Sequence, residues 1–375
     1  MKKLLCILLC LILTSASVAA MADPVVIDPY ENRGITPADA GTNPRIDGVS
    51  PTTGRVLADI EVPDGFAGLA ATGRYFPLLV QISNSGGGIN KVAPWNVLYA
   101  DVFYETPLYR EGATRFSCLF SDLMPTIAGP VRSARVGHIR IREEWDCAFV
   151  HWGGQEYEET NYRALLRELG VFDKNLDFDG LAPSRAGGKL FERDERIAAP
   201  NNVQAFLSQM ASVPAEDQTA AEHAWLFTDE PLTDGDEALS IHITWGEAEG
   251  GAYNSLLEYD EEDDCYYRYL LSDPKNPSLY KERYTGTPIT FTNVIIQDTD
   301  CDYIAYDAPD LKNVGEGNAD FFMNGRHIAG CWKRADMESR TVFYGADGNE
   351  ITLRPGRTLI VMIDEKNEMR SVSYE

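Results

Sequence analysis

The chain has 375 residues, which is enough for two domains of ordinary size. Apolar residues make up 44% of it and aromatic residues 10%, so the sequence can form packed cores and is not that of a disordered chain. Its formal net charge is −25 at pH 7. Because this charge repels phosphate groups, it argues against nucleic acid and anionic lipid surfaces as partners.

The N-terminus has the three parts of a secretory signal peptide: Lys2 and Lys3 precede an uncharged apolar run over residues 4–13, and small residues follow. The apolar run is shorter than the roughly 20 residues that a membrane-spanning helix needs. Cleavage is predicted near Ala22, and an uncleaved signal anchor is the alternative. No later apolar run is long enough to span a bilayer. We therefore expect an extracytoplasmic mature protein without a membrane span.

Beyond the signal peptide (residues 1–22), the chain divides into three parts. Residues 23–75 are rich in Pro, Gly, Asp and Thr and predict an irregular extension. Residues 76–225 interleave strand and helix patterns, which predicts a mixed α/β domain with helices over residues 133–145, 156–169 and 201–210. Residues 226–375 are mostly strand patterns separated by turns and predict a mostly antiparallel β module. The predicted fold class is α+β.

Five cysteines follow the signal peptide at wide spacing and without a CxxC pair: Cys118, Cys147, Cys265, Cys301 and Cys331. An odd number at such spacing indicates no disulfide framework. The favoured interpretation is that they are thiols packed as small hydrophobic groups. One disulfide among the three C-terminal cysteines is the alternative.

Motifs for metals and cofactors are missing from the sequence. It has no HExxH, no Cys/His cluster at zinc spacing, no GxSxG and no phosphate-binding P-loop. Residues 175–180 look like half of a calcium loop, but the twelfth position is Ala186 and not glutamate. We therefore predict no metal site and no cofactor.

The most unusual segment is GPVRSARVGHIRIR at residues 129–142, which concentrates arginines in an acidic chain. A Gly-Pro turn before a helix would expose backbone N–H groups where the helix dipole favours anions. Arg132 and Arg135 would share one helix face and offer planar donors to a carboxylate or phosphate. With Ser133, and with Arg115 upstream, they are predicted to bind an anionic ligand. The alternative is that these arginines form structural ion pairs with nearby acids.

A histidine followed closely by two glycines ends the next predicted strand: His151, Gly153 and Gly154. Glycines let the backbone approach a ligand closely, so these positions join the predicted ligand site. His151 could also act as a general base, with Glu105 as a nearby acid. The alternatives are that His151 only caps its strand and that Glu105 pairs with Arg115. Three further arginines are weaker candidates for the same pocket: Arg185, Arg193 and Arg196.

Several segments resemble the YerB-like family of bacterial envelope proteins, a domain of unknown function (3048) with N- and C-terminal parts. The resemblance rests on motifs that include GPVRSAR, VHWGG and GEGNADFFMNGRHIAGCWKR. It covers roughly residues 76–210 and 239–363. It implies two α/β-type subdomains and, for many members, a lipoprotein at the cell surface. It implies no established catalytic mechanism.

Two features depart from the family pattern. Where family members commonly have Pro-His-Asn, this chain has Pro200, Asn201 and Asn202. If that histidine is catalytic in other members, a shared mechanism is missing here. Leu9 before Cys10 is too large for a typical lipoprotein cleavage site, so the sequence does not support a lipid anchor.

Three functional hypotheses follow. The leading one is an exported cell-envelope protein that binds an anionic small molecule or envelope polymer through the arginine-rich segment. The first alternative is a hydrolase of an envelope polymer, with Glu105 and His151 as acid and base and with arginines that stabilise charge. The second is a non-catalytic interaction scaffold in which all these residues are structural. Convergence of the candidates on one pocket would favour function, and separate ion pairs would favour the scaffold.

Overall fold

The structure is a computed structural model that describes residues 23–39, 43–84, 92–172, 175–182, 189–215, 218, 220, 223–364 and 366–375. The predicted signal peptide and Arg185 lie outside these residues. Within the described part of the chain, no helix is both long and apolar enough to cross a membrane.

The strands up to residue 227 are β1 (Val25–Val26), β2 (Leu78–Ser83), β3 (Val102–Pro107), β4 (Thr114–Phe120), β5 (Ala148–His151), β6 (Asp177–Asp179), β7 (Phe191–Arg193), β8 (Val203–Ala205) and β9 (Leu226–Phe227). The later strands are β10 (Asp236–Glu237), β11 (Ser240–Thr244), β12 (Ser255–Asp260), β13 (Cys265–Leu270), β14 (Ser278–Leu279), β15 (Thr290–Phe291), β16 (Asn293–Asp298), β17 (Cys301–Ala305), β18 (Ala308–Leu311), β19 (Gly315–Met323), β20 (Arg326–Arg334), β21 (Val342–Tyr344), β22 (Thr352–Leu353), β23 (Thr358–Ile363) and β24 (Ser371–Tyr374). The α-helices are α1 (Leu69–Thr72), α2 (Val136–Trp145), α3 (Tyr162–Glu168) and α4 (Leu207–Met210). Short 3-10 turns cover Leu57–Asp59, Val97–Tyr99 and Ala248–Gly250.

One mixed sheet of 11 strands runs through the molecule in the order β10-β20-β19-β16-β23-β3-β4-β2-β5-β6, with β21 beside β20. Both halves of the chain contribute to it, because β23 pairs in parallel with β3 from Thr358 and Val102 to Val361 and Glu105. A second sheet of seven strands has the order β1-β24-β11-β12-β13-β14, with β15 beside β13. The two halves therefore share one continuous sheet.

The two faces of strands β3 and β4 meet different partners. On one face, Phe103 packs edge-on against Phe291 of the second sheet, with ring centroids 5.2 Å apart. On the other face, Tyr104 accepts a hydrogen bond from Trp145 of α2 at 2.7 Å. Successive side chains of a strand point to opposite faces. Odd-numbered β3 residues such as Glu105 therefore face the second sheet, and even-numbered ones face α2.

The predicted α+β class is wrong, because strands dominate both halves of the described chain. Among the described residues, α2 with 10 residues and α3 with seven are the α-helices longer than four residues. The predicted helix over residues 201–210 is instead β8, which pairs with β7, followed by the short helix α4. Short apolar runs fit a strand and a helix equally well, and sheet pairing decides between them.

The five cysteines beyond the predicted signal peptide are unpaired. Cys118, Cys147 and Cys265 are buried, and Cys301 and Cys331 are partly exposed. Free thiols, the favoured interpretation of the sequence, are confirmed, and the alternative disulfide is wrong.

Candidate functional site

The GPVRSAR segment runs as an extended strand-like stretch, held by main-chain bridges to β2 and to the residues after β5. Helix α2 begins only at Val136, with Arg135 as its N-cap in an extended conformation. Arg132 and Arg135 therefore precede the helix and do not share a helix face, so this part of the prediction is wrong.

The start of α2 is buried. A Cβ atom added at Gly137 would lie 2.9 Å from the Cβ of Leu311 in β18, so the hairpin of β17 and β18 packs against the first turn. His138 caps the helix, because its Nδ1 accepts a hydrogen bond from the Arg135 N–H at 3.2 Å. The segment therefore does not form an open anion site at the N-terminus of α2.

Three arginine side chains meet beside the segment, and we call Arg115, Arg132 and Arg135 the arginine site. Arg115 Nη1 donates to the Ser133 carbonyl at 2.7 Å, and Arg135 Nη1 donates to the next carbonyl at 2.9 Å. Arg132 Nη1 donates to Asn201 Oδ1 at 2.9 Å. Burial lowers the pKa of Arg115, and the positive charges of Arg132 and Arg135 lower that pKa further. The three guanidinium groups are thus close enough to repel one another.

These guanidinium groups bind neutral oxygen atoms. Within the described ranges, none of the three forms an ion pair with a carboxylate at 4.0 Å or less. Burial lowers the pKa of Arg135 to about 10, although the charge of Asp307 acts in the opposite direction. The buried Arg115 Nε has no hydrogen-bond partner. Buried charge without a counter-charge in direct contact costs free energy, which a bound anion would offset.

Residues from the second half of the chain form one wall of the arginine site. The carbonyl of Asp307 accepts a hydrogen bond from Arg135 Nε at 3.1 Å. Its neighbour Tyr306 stacks on Tyr109, with ring centroids 4.9 Å apart. Tyr109 and Tyr253 both counteract the lowering of the Arg132 pKa by burial, which places these two tyrosines beside the site.

The site is open on one side, because Arg132 and Ser133 are partly exposed. The sequence analysis did not predict Asn201 as a site residue. A signal was present, because Asn201 stands where family members commonly have a histidine. The tyrosines and Asp307, which come from distant elements without a local motif, were also missed.

Glu105 pairs with Arg268 of β13 and not with Arg115. Arg268 Nη2 lies 3.0 Å from Glu105 Oε1, and both side chains are fully buried. Asn84 and Thr114 each donate a further hydrogen bond to the same oxygen at 2.8 Å. Burial raises the pKa of Glu105, and the charge of Arg268 opposes this rise. The two charges of the pair neutralise each other, although Glu105 Oε2, Arg268 Nε and Arg268 Nη1 have no hydrogen-bond partner.

Strand register separates Glu105 from the arginine site. Arg115 lies directly opposite Thr106, whose hydroxyl bonds His138 of α2 at 3.1 Å. Glu105 therefore points to the opposite face of the sheet. The two residues that were alternative partners in the sequence lie on different sides of the same strands.

His151 is fully buried, and both of its ring nitrogens are engaged. Nε2 lies 2.8 Å from Asp177 Oδ1, and Nδ1 lies 2.8 Å from the Gly153 carbonyl. Burial lowers the pKa of His151, but the hydrogen bond and charge of Asp177 outweigh burial, so its pKa is raised. Because both partners are acceptors, the geometry fits a charged imidazolium that donates from both nitrogens.

The two glycines after His151 serve contacts within the protein. Gly153 has φ of 65°, which favours glycine, and a Cβ atom there would lie 2.6 Å from Leu181. A Cβ atom at Gly154 would lie 2.5 Å from Tyr162. The close approach that the sequence predicted is therefore made by side chains of the protein.

The weaker candidates have their own partners. The Arg193 guanidinium lies 4.9 Å from the Trp152 ring centroid. Arg196 is exposed and pairs with Asp194 at 2.7 Å. In the part of the chain that the structure describes, no three His, Cys, Asp or Glu side chains are arranged to hold a metal ion.

Comparisons with known proteins identify the family. The N-terminal domain of a protein of unknown function (DUF3048) matches residues 67–220, and the C-terminal domain of the same family matches residues 242–360. The protein "Putative lipoprotein YerB" of Bacillus subtilis (strain 168) is 25% identical over 272 residues, which cover 71% of this chain and 75% of that protein. The crystal structure of YerB protein from Bacillus subtilis matches 86% of this chain and 99% of its own, with a TM-score of 0.64 and 22% identity, and thus has the same fold. The resemblance in the sequence is confirmed, and the chain belongs to the YerB-like DUF3048 family.

Proposed function

We propose that this protein is an exported cell-envelope protein that binds an anionic group at the arginine site. The observation that carries the proposal is the meeting of Arg115, Arg132 and Arg135 around neutral acceptors, in a chain whose formal charge is −25. Acids are abundant in this sequence, yet other arginines take them as partners. Export is supported by the signal-peptide pattern and by the lipoprotein name of the Bacillus relative.

The chemistry of the site favours a carboxylate or a phosphate. Guanidinium groups offer paired N–H donors that match two oxygens of such an anion. Arg132 and Ser133 are partly exposed, so a ligand can approach from solvent at that side. An anion held there would offset the repulsion among the three cations, and its binding would stabilise the fold. The ligand is either a small molecule or an anionic group on an envelope polymer.

The hydrolase hypothesis has less support from the geometry. Glu105 and His151 are fully buried, and each is closed off by its own partner, Arg268 or Asp177. Glu105 faces the second sheet, whereas His151 packs edge-on against Tyr162 of α3 at 5.4 Å. An acid and a base need to reach the same bond. The scaffold hypothesis remains the alternative, and a lack of anion binding would favour it.

The proposal is tested by thermal unfolding of the wild type and Arg132→Gln with sodium pyrophosphate or sodium citrate, against sodium chloride at equal ionic strength. We expect a saturable rise in Tm for the wild type and none for Arg132→Gln, because that variant loses the most accessible guanidinium group. Arg196→Gln is the matched control, since it removes an exposed arginine that pairs with Asp194, and its rise should equal that of the wild type.

Equal Tm rises in all three proteins would indicate a general effect of excluded salts and not a site. The absence of any rise in the wild type would overturn the anion proposal and favour the scaffold.

A further inference from the structure

A cavity of about 660 Å³ lies at the opposite end of β3 and β4 from the arginine site. Asp101 directly precedes β3, and Asp122 follows the end of β4. Because β3 and β4 are antiparallel neighbours, the start of β3 lies beside the end of β4. Asp101 and Asp122 therefore meet at these strand ends, where both line the cavity. We call Asp101 and Asp122 the carboxyl pair.

The carboxyl pair is held by neutral donors. Asp101 Oδ2 accepts hydrogen bonds from the Ser121 N–H at 2.7 Å, the Ser121 hydroxyl at 2.6 Å, the Asp122 N–H at 3.0 Å and the Thr52 hydroxyl at 3.3 Å. Asp122 Oδ2 accepts from the Thr53 hydroxyl at 2.7 Å. Asp122 Oδ1 is buried and has no hydrogen-bond partner. One oxygen of the pair therefore retains unused acceptor capacity, on a residue that lines the cavity.

No cation of the described residues forms a direct ion pair with the carboxyl pair, although the charge of Arg55 lowers the pKa of Asp122 and the charge of Asp101 raises the pKa of Arg357. In the described portion of the molecule, neither carboxylate has a Lys, Arg or His nitrogen within 4.0 Å. Arg357 also lines the cavity, but its guanidinium group donates to three main-chain carbonyls. Asp101 and Asp122 are each only 4% exposed. Burial, with the charge of Asp122, raises the pKa of Asp101 to about 8, and burial also raises the pKa of Asp122.

The rest of the cavity lining combines apolar residues with exposed acidic residues. Among its walls are Leu98, Tyr99 and Leu123. Asp59, Glu61 and Asp229 also line it and are exposed. Arg55 is the exposed basic group of the lining. Acids outnumber bases here, so the local field attracts cations from solvent.

We propose that this cavity binds a ligand that carries a primary ammonium group on an aliphatic stem. The ammonium group has three N–H donors, one of which can reach the unused oxygen Asp122 Oδ1, and the stem fits the apolar walls. Its positive charge supplies a counter-charge in direct contact with the carboxyl pair, which the described residues do not provide. Because the bound cation favours the ionised carboxyl pair, binding at neutral pH releases a proton from Asp101 to the buffer. This site is separate from the arginine site, so either proposal can fail without the other.

The test is isothermal titration calorimetry of the full mature chain at pH 7.5 with n-pentylamine, using pentan-1-ol as the neutral probe of matched length. We expect saturable binding of the amine, heats that change with the ionisation enthalpy of the buffer, and no saturable binding of the alcohol. Asp122→Asn should weaken amine binding at least about tenfold, since it removes a charge-assisted hydrogen bond from a buried site.

Two controls separate a binding defect from a folding defect. Asp229→Asn removes an exposed acid of the same cavity, and its affinity for the amine should fall by less than about threefold because exposed charges are screened. Thermal unfolding should show that Asp122→Asn keeps the wild-type Tm or exceeds it, because an unneutralised buried carboxylate is gone. If Asp122→Asn does not fold, Asp101→Asn replaces it.

Four outcomes would overturn the proposal. They are no amine binding by folded wild type, equal binding of amine and alcohol, an unchanged affinity in the folded carboxyl-pair variant, or Asp122-dependent binding of CaCl₂ without amine binding.

Discussion

The arginine site and the Glu105–Arg268 ion pair lie on opposite faces of β3 and β4. The two differ in whether a buried arginine contacts a carboxylate. Arg268 meets a carboxylate at 3.0 Å, and its guanidinium group also lies 4.9 Å from the Phe116 ring centroid. Arg115, one residue before Phe116, meets two other arginines and a carbonyl oxygen. Arginine content alone therefore does not mark a site in this protein. The informative difference is whether the fold itself supplies the counter-charge.

The largest predicted effect comes from breaking the closed ion pair. Glu105→Ala leaves Arg268 buried without its counter-charge and should lower the free energy of unfolding by about 3–5 kcal/mol. Urea denaturation of wild type and variant measures this loss. The double variant Glu105→Leu/Arg268→Met removes both charges and should recover most of the stability. A loss below about 1 kcal/mol for Glu105→Ala would show that the pair is not a structural unit.

The next prediction concerns the pH dependence of the free energy of unfolding. His151 and Asp101 are both buried and contribute to it with the same sign. The folded-state pKa of His151 is raised, so its stabilising contribution is complete below its unfolded value near 6.5 and is lost as pH rises through the folded value. The pKa of Asp101 is raised from 3.8 to about 8, so its burial becomes increasingly unfavourable across that interval. Burial lowers the pKa of His138 and of His223, and both give a slope of the opposite sign. We therefore expect the free energy of unfolding of the wild type to fall between pH 5 and 8 relative to that of Asp101→Asn, by on the order of 3 kcal/mol.

Urea denaturation at several pH values checks this fall, and Asp101→Asn should flatten the slope because the amide does not ionise. Equal pH slopes in the wild type and in Asp101→Asn would contradict this account of Asp101.

A smaller change in stability, with a clear change in binding, is predicted for Asn201→Asp. The new carboxylate would lie where Asn201 Oδ1 now accepts a hydrogen bond from Arg132. Arg132 would then have a counter-charge within the protein, as Arg268 has in Glu105. We expect stability to stay equal or to rise by up to about 1 kcal/mol, and pyrophosphate affinity to fall at least about tenfold. Calorimetric titration together with urea denaturation separates the two effects. Undiminished affinity would show that Arg132 does not hold the anion.

The sequence identified some of these features and missed others for physical reasons. GPVRSAR marked Arg132 and Arg135 by charge contrast, and Arg115 was added from a neighbouring strand. Alternation in DVFYET already implied that Glu105 and Thr106 face opposite sides. Which side meets β13 depends on long-range packing, so pairing of Glu105 with Arg268 was not visible. One local signal existed, since Arg268 occupies an inward position of an alternating strand.

The fold class was misjudged for two reasons. β23 pairs with β3 from the other half of the chain, and this pairing leaves no local pattern. The neighbouring strands β7 and β8 have only three residues each, too few to show a clear alternation. The carboxyl pair was missed for a related reason, because Asp101 and Asp122 are ordinary acids in the sequence. Their positions at the open end of a hairpin bring them together and bury them.

The central claim is that the arginine site holds an anion because no carboxylate of the described residues forms an ion pair with its three guanidinium groups. Its most direct test is calorimetric titration of sodium pyrophosphate into the wild type, Arg132→Gln and Arg196→Gln at fixed ionic strength. The account predicts saturable binding at one site per chain in the wild type and Arg196→Gln, weakened at least about tenfold in Arg132→Gln. Binding of equal strength in all three proteins, or no binding by folded wild type to pyrophosphate or citrate, would contradict it.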